Sequence, residues 1–456
     1  MRHATVIIGL VTITLMACGC LQADSRVRIY SDVDKPLVPD DRAETVFVKV
    51  GLEGLRVPVM PERIPLNVAV VLDKSGSMGS DRKMENAKRG AMEIVERLGR
   101  DDTISLVVYD NHPRVLIPAQ SVKNKGALIE TISSVFSGGS TALHGGVMLA
   151  AAEVRRNISW RYINRVILLS DGLANVGPQS TEDLAYLGKS LGSEGITVTT
   201  IGVGLDYNED LMTALAARSG GNAYFASSAH ELPKIFAEEI GEAMTVVARD
   251  ARIRLHCPEG MKPIGIVGRE GAIEGQIMSA PIGELYGENT KFALFEIEVP
   301  ADDAGRQAEV ARVEVEYADP HTNEKSVDNL VVSVTYECDE EAVRTQQNKE
   351  ITKEVALTKA SEAKRKAVAL ADRGRYEEAA GVIRFGASVL EKVGQECDND
   401  GEILLEAEKC YEMSSDIEAN QGFTRYMRKR VVNQVYTQTT QQGYVSDDST
   451  GTGEEK

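Results

Sequence analysis

The chain has 456 residues, and its 69 acidic and 51 basic residues give it a formal net charge of −18. Such an acidic chain lacks the basic surface that a phosphate backbone requires, which argues against nucleic acid as a partner. Hydrophobic residues make up 43% of the chain, which is too large a share for a disordered protein. At roughly 150 residues per domain, the length predicts about three domains.

The first residues are typical of an export signal. A short basic start at residues 1–3 precedes an apolar run from Ala4 to Ala17, which is too short to span a bilayer as a helix. We therefore expect residues 1–17 to be a signal peptide and the protein to be exported.

The apolar run ends in Leu15-Met16-Ala17-Cys18, which resembles the bacterial lipobox, whose cysteine becomes the lipidated first residue of the mature chain. Lipidation of Cys18 would anchor the protein in the bacterial cell envelope, on the periplasmic side or the cell surface. It would be the sole membrane attachment, because no later segment has the ~20 apolar residues of a membrane span. Cys20 is a second candidate, and a signal that simply releases the chain as a secreted protein is the alternative.

Two separate stretches of the chain carry the period-two alternation of β-strands. In residues 26–62, Val46, Val48 and Val50 alternate with more polar neighbours, but this piece is too small to fold alone. Residues 246–338 show the same alternation. We predict that the two stretches form one β-sandwich, interrupted by an inserted domain.

The insert, residues 63–245, alternates strand and helix patterns. Leu66 to Leu72 is a nearly continuous apolar run, as expected of a central parallel strand that is covered on both faces. Further strands are predicted at 103–109, 165–169 and 196–203, and helices at 84–98, 144–156, 181–191, 209–218 and 229–247. This order predicts a doubly wound (Rossmann-like) α/β domain, in which ligands bind outside the carboxyl ends of the strands.

Four cysteines follow the signal segment: Cys257, Cys338, Cys397 and Cys410. In an oxidising compartment they allow three pairings, which sequence alone cannot separate. We favour a disulfide between Cys257 and Cys338, because each lies at the end of an alternating strand pattern in the same region. A zinc site is the alternative, although no CxxC or HxxxH pattern accompanies the cysteines.

Strand patterns stop near residue 346, and helical spacing continues to residue 435. One helix ends before Gly374 and a second runs from Tyr376 to Val393. Residues 371–379 resemble the turn of a tetratricopeptide repeat, but there is no second copy, and we predict a helical hairpin packed on the rest of the protein. Residues 437–456 are rich in Thr, Gln, Ser, Gly and acidic residues and are predicted to be disordered.

Oxygen-bearing side chains lie on three loops of the insert. Asp73, Ser75 and Ser77 follow the first apolar strand, Thr141 follows a double glycine before a helix, and Asp171 follows another apolar strand. The fold would bring these loops together at one edge of the sheet. Hard divalent cations prefer oxygen ligands, so the pattern predicts a metal site there.

This set of residues resembles the metal-ion-dependent adhesion site of von Willebrand factor type A domains, with all five positions filled. The resemblance covers residues 63–245, and the flanking strands are similar in layout to inter-alpha-trypsin inhibitor heavy chains and to bacterial proteins labelled calcium-activated chloride channel homologues. It implies that the hydroxyls of Ser75, Ser77 and Thr141 bind a divalent cation, while Asp73 and Asp171 bind it directly or through water. Mg²⁺ is the expected ion, and Ca²⁺ and Mn²⁺ are alternatives.

The resemblance implies a metal-ion-dependent protein-binding or adhesion module. Neutral hydroxyls leave the cation electron-poor, and octahedral Mg²⁺ would keep a position for an Asp or Glu carboxylate of a protein partner. A structural or scaffolding subunit that assembles through the α/β and helical regions is the alternative. Catalysis is not expected, because Ser75 and Ser77 lack a partnered histidine and the chain has no P-loop motif.

Some neighbouring polar residues have two interpretations. Lys74 either turns away from the ion or contacts the partner, and His144 is either a polar residue at a helix start or a neighbour of the metal. Asp206, Glu209 and Asp210 either form a second cation site or cap the following helix, whose positive end favours acidic residues.

Overall fold

The computed structural model describes residues 26–56 and 63–443. The predicted signal peptide, Cys18 and Cys20 lie outside these residues. The described chain forms a β-sandwich, an α/β domain inserted into it and a helical region, as the sequence predicts. In residues 26–56 and 63–443 we find no helix that is both long and apolar enough to cross a membrane.

The sandwich begins with three strands, β1 (Val27–Val33), β2 (Leu37–Pro39) and β3 (Glu44–Gly54). The inserted domain then adds six strands and six helices: β4 (Leu66–Asp73), α1 (Lys83–Arg97), β5 (Thr103–Tyr109), β6 (Arg114–Ser121), α2 (Lys125–Ser133), α3 (Leu143–Arg155), β7 (Ile163–Ser170), α4 (Thr181–Ser193), β8 (Ile196–Val203), α5 (Glu209–Ser219), β9 (Ala223–Ala226) and α6 (Leu232–Ala243). The sandwich resumes with β10 (Val246–His256), β11 (Lys262–Val267), β12 (Ala272–Glu274), β13 (Ile277–Tyr286), β14 (Thr290–Val299), β15 (Gln307–Ala318) and β16 (Lys325–Glu337).

The inserted domain is built around one sheet with the strand order β6-β5-β4-β7-β8-β9. Only the edge strand β6 runs antiparallel to its neighbour. All residues of β4, β5, β7 and β8 are buried, because helices cover both faces of the sheet. The chain order reverses beside β4, so the carboxyl ends of β4 and β7 lie at a switch point, where open α/β sheets bind ligands.

The sandwich packs a four-stranded sheet, β1-β3-β14-β11, against a six-stranded sheet, β12-β13-β10-β15-β16-β2. Apolar residues of both sheets share one core, among them Val48, Leu255, Phe295 and Val334. The two stretches that the sequence assigned to the sandwich therefore do pair, since β3 from the first stretch lies beside β14 from the second.

The predicted disulfide between Cys257 and Cys338 is wrong: both thiols are free, and Cys338 is exposed. Their strands, β10 and β16, are separated by β15. The register places Cys257 near the level of Val332, six residues short of Cys338, which corresponds to about 20 Å along a strand. A disulfide needs Cα atoms within about 7 Å. The position of each cysteine at the end of a strand pattern was therefore not sufficient evidence for a disulfide.

The C-terminal region contains more than the predicted hairpin. A short helix, α7 (Glu340–Thr345), leads into four long helices, α8 (Lys349–Ala371), α9 (Tyr376–Glu396), α10 (Gly401–Asn420) and α11 (Arg425–Thr440). The four share one apolar core. The prediction of disorder from residue 437 is wrong for residues 437–440, which belong to α11. The helix is docked on the α/β domain: the Tyr436 hydroxyl donates to the Gly221 carbonyl at 2.6 Å, and the Asn433 side chain donates to the Ala223 carbonyl at 2.9 Å.

Candidate functional site

The five predicted ligand residues lie at the carboxyl edge of the inserted sheet. Asp73 is the last residue of β4, and Asp171 follows β7, the parallel neighbour of β4. Ser75 and Ser77 lie in a tight turn between β4 and α1, and Thr141 lies just before α3. The structure therefore brings together residues that are almost 100 positions apart.

Most of these oxygens lie within hydrogen-bonding distance of one another. The Ser75 and Ser77 hydroxyl oxygens are 3.1 Å apart, and Ser77 donates to Asp171 Oδ1 at 2.7 Å. A methyl group added at Gly172 would lie 3.6 Å from Thr141 Oγ1 and 3.7 Å from Ser77 Oγ. Those two hydroxyls therefore face the same space, which stays open because residue 172 is a glycine.

The double glycine fixes the Thr141 loop against the Ser75 loop. The Gly76 amide donates to the Gly139 carbonyl at 3.0 Å, and the Gly138 amide donates to the Lys74 carbonyl at 2.6 Å. Gly139 has φ of +100°, and a Cβ there would lie 2.7 Å from the Asp110 side chain. A larger residue at position 139 would therefore clash with the loop that follows β5.

Asp73 is a buried carboxylate with neutral hydrogen-bond donors. It accepts from the Ser75 amide at 2.8 Å and from the Ser170 hydroxyl at 3.0 Å. Burial raises the pKa of Asp73 to about 6, and the neighbouring Asp171 carboxylate also raises it. A cation at this position would stabilise the charged form of Asp73.

Sequence reasoning missed Lys83, in the first turn of α1. Its ammonium group donates to Asp171 Oδ2 at 2.9 Å, and both side chains are buried. With Asp73 and Asp171 ionised, the cluster carries two negative charges and one positive charge. Its net charge of −1 becomes +1 when a divalent ion binds, so the loaded site would attract an anion.

The donor set fits a hard divalent cation. Every predicted ligand atom is an oxygen, three of them hydroxyl oxygens, which suits Mg²⁺, Ca²⁺ or Mn²⁺. Within residues 26–56 and 63–443 we find no group of three or more His, Cys, Asp or Glu side chains that could hold a metal ion. The alternative of a zinc site at the cysteines therefore finds no support within residues 26–56 and 63–443.

The neighbouring polar residues also have defined places. Lys74 turns away from the five oxygens and forms an ion pair with Asp110, which agrees with the first of its two interpretations. Asp206, Glu209 and Asp210 do not form a cluster that could hold a metal ion. They form ion pairs with three basic side chains of α11, Arg425, Arg428 and Lys429.

An open cavity of about 390 Å³ lies above the ligand residues. Ser75, Ser77 and Thr141 line its floor, and residues that the sequence did not single out complete its wall. These are Asn175, whose side chain accepts from the Thr141 amide at 2.9 Å, and Arg425 of α11. No local sequence signal connects Arg425 to a motif that lies some 350 positions earlier in the chain.

Comparison with known proteins agrees with this architecture. The chain is 25% identical over 311 residues to an uncharacterised protein of Synechocystis sp., covering 65% of this chain and 73% of that one. It is 27% identical over 169 residues to human inter-alpha-trypsin inhibitor heavy chain H3, covering 35% of this chain but only 19% of that protein.

A solved structure shares nearly the whole fold. The von Willebrand factor type A protein from Catenulispora acidiphila superposes with a TM-score of 0.67 at 16% identity, over 92% of this chain and 98% of that one. The likeness thus extends from the α/β domain to the sandwich and the helices. The family of von Willebrand factor type A domains matches residues 67–238. With its five-residue oxygen cluster at the carboxyl edge of a doubly wound sheet, the chain is therefore a protein with a von Willebrand factor type A domain, the kind of domain that commonly serves in metal-dependent adhesion and protein interaction.

Proposed function

We propose that this protein is a metal-ion-dependent protein-binding or adhesion module of the bacterial cell envelope. A divalent cation, Mg²⁺ in the first place, binds at Asp73, Ser75, Ser77, Thr141 and Asp171. A carboxylate from a protein partner completes its coordination. The observation that carries the proposal is the convergence of these residues at one edge of the sheet, where Ser75, Ser77 and Thr141 line an open cavity.

The electrostatics of the cluster support binding rather than catalysis. Hydroxyl ligands donate little charge, so the ion remains an acceptor for an external carboxylate. Ser75 and Ser77 donate to each other or to Asp171, and neither is hydrogen-bonded to a histidine in the described structure. A partnered base is what a serine nucleophile requires.

Metal binding is tested by titrating Mg²⁺ into the full chain by calorimetry and by following its unfolding. Because the ion binds only the folded state, saturation to about 100 times Kd should raise the free energy of unfolding by about 2.7 kcal/mol. Asp171→Asn and Thr141→Ala should lose both signals. Ser140→Ala is the matched control, because it removes a neighbouring hydroxyl that is not in the ligand set.

Partner binding is tested by pull-down from envelope extracts with and without a chelator. Metal-dependent binding predicts that the partner is lost with the chelator and with Asp73→Ala. A partner that both treatments retain would contradict the proposal and would favour a scaffolding subunit. Absence of Mg²⁺ binding to the wild type would contradict the metal site itself.

A further inference from the structure

We propose that the helical region completes the partner-binding site, and that Arg425 binds a second carboxylate of an acidic partner segment whose first carboxylate completes the metal coordination. The inference rests on the proposed function and specifies its ligand: an extended segment with two acidic side chains. It also gives the C-terminal helices a direct part in recognition.

Arg425 stands at the rim of the metal-site cavity although it belongs to another part of the fold. It is the first residue of α11 and lines the same cavity as Ser75, Ser77 and Thr141. Its Nη2 donates to the Leu205 carbonyl and to Asp206 Oδ1, both at 2.6 Å. The side chain is 67% exposed, so the guanidinium group faces solvent.

The position of Arg425 is fixed by the contacts of the rest of α11. Arg428 donates to Asp210 at 2.6 Å and to Asp372 at 2.8 Å. Lys429, which is buried, donates to the Tyr207 carbonyl at 2.6 Å. The bonds to Tyr207 and Asp210 tie the start of α11 to the loop between β8 and α5 and to the start of α5. Arg425 therefore projects from an element that is docked on the α/β domain.

The guanidinium group retains donors for a ligand. It has five N–H groups, and its Nη2 makes both of its hydrogen bonds. Within the described chain, Nε and Nη1 have no acceptor among the hydrogen bonds of Arg425. The ion pair with Asp206 is exposed, at 62% for the aspartate, and such pairs give up a partner at small cost. Arginine is also the side chain best suited to bind a carboxylate through two parallel hydrogen bonds.

Charge explains why the ligand should be acidic. The chain as a whole carries −18, and a general field of that sign repels acidic segments. The loaded metal cluster on the cavity floor and the Arg425 guanidinium group on the cavity wall both carry positive charge. A segment with two carboxylates would therefore meet both. The cavity of about 390 Å³ accommodates a few side chains, and Leu173 at its wall is 60% exposed and offers apolar contact.

The experiment uses the full chain with saturating Mg²⁺ and labelled Gly/Ser peptides of about twelve residues, which behave as flexible chains. The peptides carry no Asp, one Asp, or two Asp residues at increasing separations. Fluorescence anisotropy measures their affinity. At one favoured separation, the two-Asp peptide should bind about tenfold more tightly than the one-Asp peptide. The chelator should abolish binding of both.

Three variants assign the second carboxylate to Arg425. Arg425→Gln should bind the two-Asp peptide only as tightly as the one-Asp peptide, with unchanged affinity for Mg²⁺. Asp206→Asn should bind the two-Asp peptide more tightly, because the competing carboxylate is gone. Arg384→Gln is the matched control: it breaks another exposed ion pair of the helical region, with Glu418, and should change nothing.

The outcomes separate this inference from the proposed function. If a second Asp never tightens binding, or if Arg425→Gln binds both peptides as the wild type does, the role of Arg425 is overturned while metal-dependent binding stands. If the wild type binds neither Mg²⁺ nor any Asp peptide, the proposed function fails first. Equal thermal unfolding of Arg425→Gln and the wild type excludes misfolding as the cause of a loss.

Discussion

Two buried clusters of charged side chains differ in their access to solvent. The metal-site cluster consists of Asp73, Asp171 and Lys83 and opens on a cavity. The junction cluster has Arg165 at its centre, between Glu239 of α6 and Glu284 of β13, where the α/β domain meets the sandwich. Each cluster has two carboxylates and one cation, but the first lies below an open cavity, whereas the Arg165 side chain has no exposure.

Hydrogen bonding shows the same contrast. Glu239 accepts from Thr199 at 2.7 Å, from Asn222 at 2.9 Å and from Tyr224 at 3.0 Å, so its oxygens are fully used by protein donors. Asp171 accepts from the hydroxyls of Ser75 and Ser77, which line the cavity, and from Lys83. Burial of charge therefore does not mark a binding site by itself. Access from an open cavity does, whereas a closed network of buried charges holds domains together.

The largest expected effect comes from removing the central cation of the junction cluster. Arg165→Met should lower the free energy of unfolding by about 3–5 kcal/mol, because Glu239 and Glu284 remain buried without their cation. Urea unfolding followed by circular dichroism measures the loss. It should be the same with Mg²⁺ and with chelator, since the junction cluster is not part of the metal site.

The control for this change is Arg312→Met, on the exposed face of β15, where Arg312 pairs with Glu309 and is 72% exposed. Its loss should cost under about 1 kcal/mol. If Arg165→Met were as mild as the control, the junction cluster would not hold the α/β domain and the sandwich together.

The second prediction concerns Glu242, which lies beside the junction cluster on α6. Burial raises the pKa of Glu242 to about 7, and the neighbouring Glu239 carboxylate also raises it. Protonated Glu242 is favoured by the folded state, so its contribution to stability is complete below pH of about 4.5 and is lost as the pH rises through about 7. Glu242→Gln should remove up to about 3 kcal/mol of this pH dependence.

The measurement is the difference in unfolding free energy between Glu242→Gln and the wild type at several pH values from about 4.5 to 8. Taking the difference removes the contributions of Asp34 and Asp73, whose pKa values are also raised to about 6. Glutamine keeps an oxygen that accepts from Asn222, as Glu242 does at 2.9 Å. A difference that does not change with pH would show that Glu242 is not held in its neutral form.

The two clusters also differ in how far they could be predicted from the sequence. Four of the five predicted ligand residues could be found because they follow strands whose apolar runs are evident, and parallel strands end at one edge of the sheet. Thr141 was found from the double glycine and the helix pattern on either side of it. The alternation of strands and helices predicted the domain order for the same reason: it is a local pattern. The period-two pattern predicted that the two stretches share one sandwich, but not which strands pair.

Charge partners were not predictable, because they come from distant parts of the chain. Arg165 begins an apolar strand and gives no sign that it is fully buried; its partners lie 74 and 119 residues away. Lys83 is ten residues from Asp73, on a helix whose polar residues mostly face solvent. Arg425 and the ordered end of α11 depend on docking against β9 and α5, a tertiary contact without a sequence signature.

The smallest expected effect comes from removing Lys83, the cation of the metal-site cluster. This change should have two opposite consequences. Lys83→Met leaves Asp171 buried without its ammonium partner, so the metal-free protein should unfold more easily. The same change removes a positive charge beside the ion, so Mg²⁺ should bind about tenfold more tightly, equivalent to about 1.4 kcal/mol. Titration of Mg²⁺ by calorimetry, with unfolding measured without Mg²⁺ and with saturating Mg²⁺, separates the two effects.

Lys88→Met, on the same helix but bound to the Ser133 and Val135 carbonyls, is the control. Weaker Mg²⁺ binding by Lys83→Met would mean that Lys83 holds Asp171 in its ligating position rather than competing with the ion, and the metal-site cluster would then resemble the junction cluster in needing its own cation.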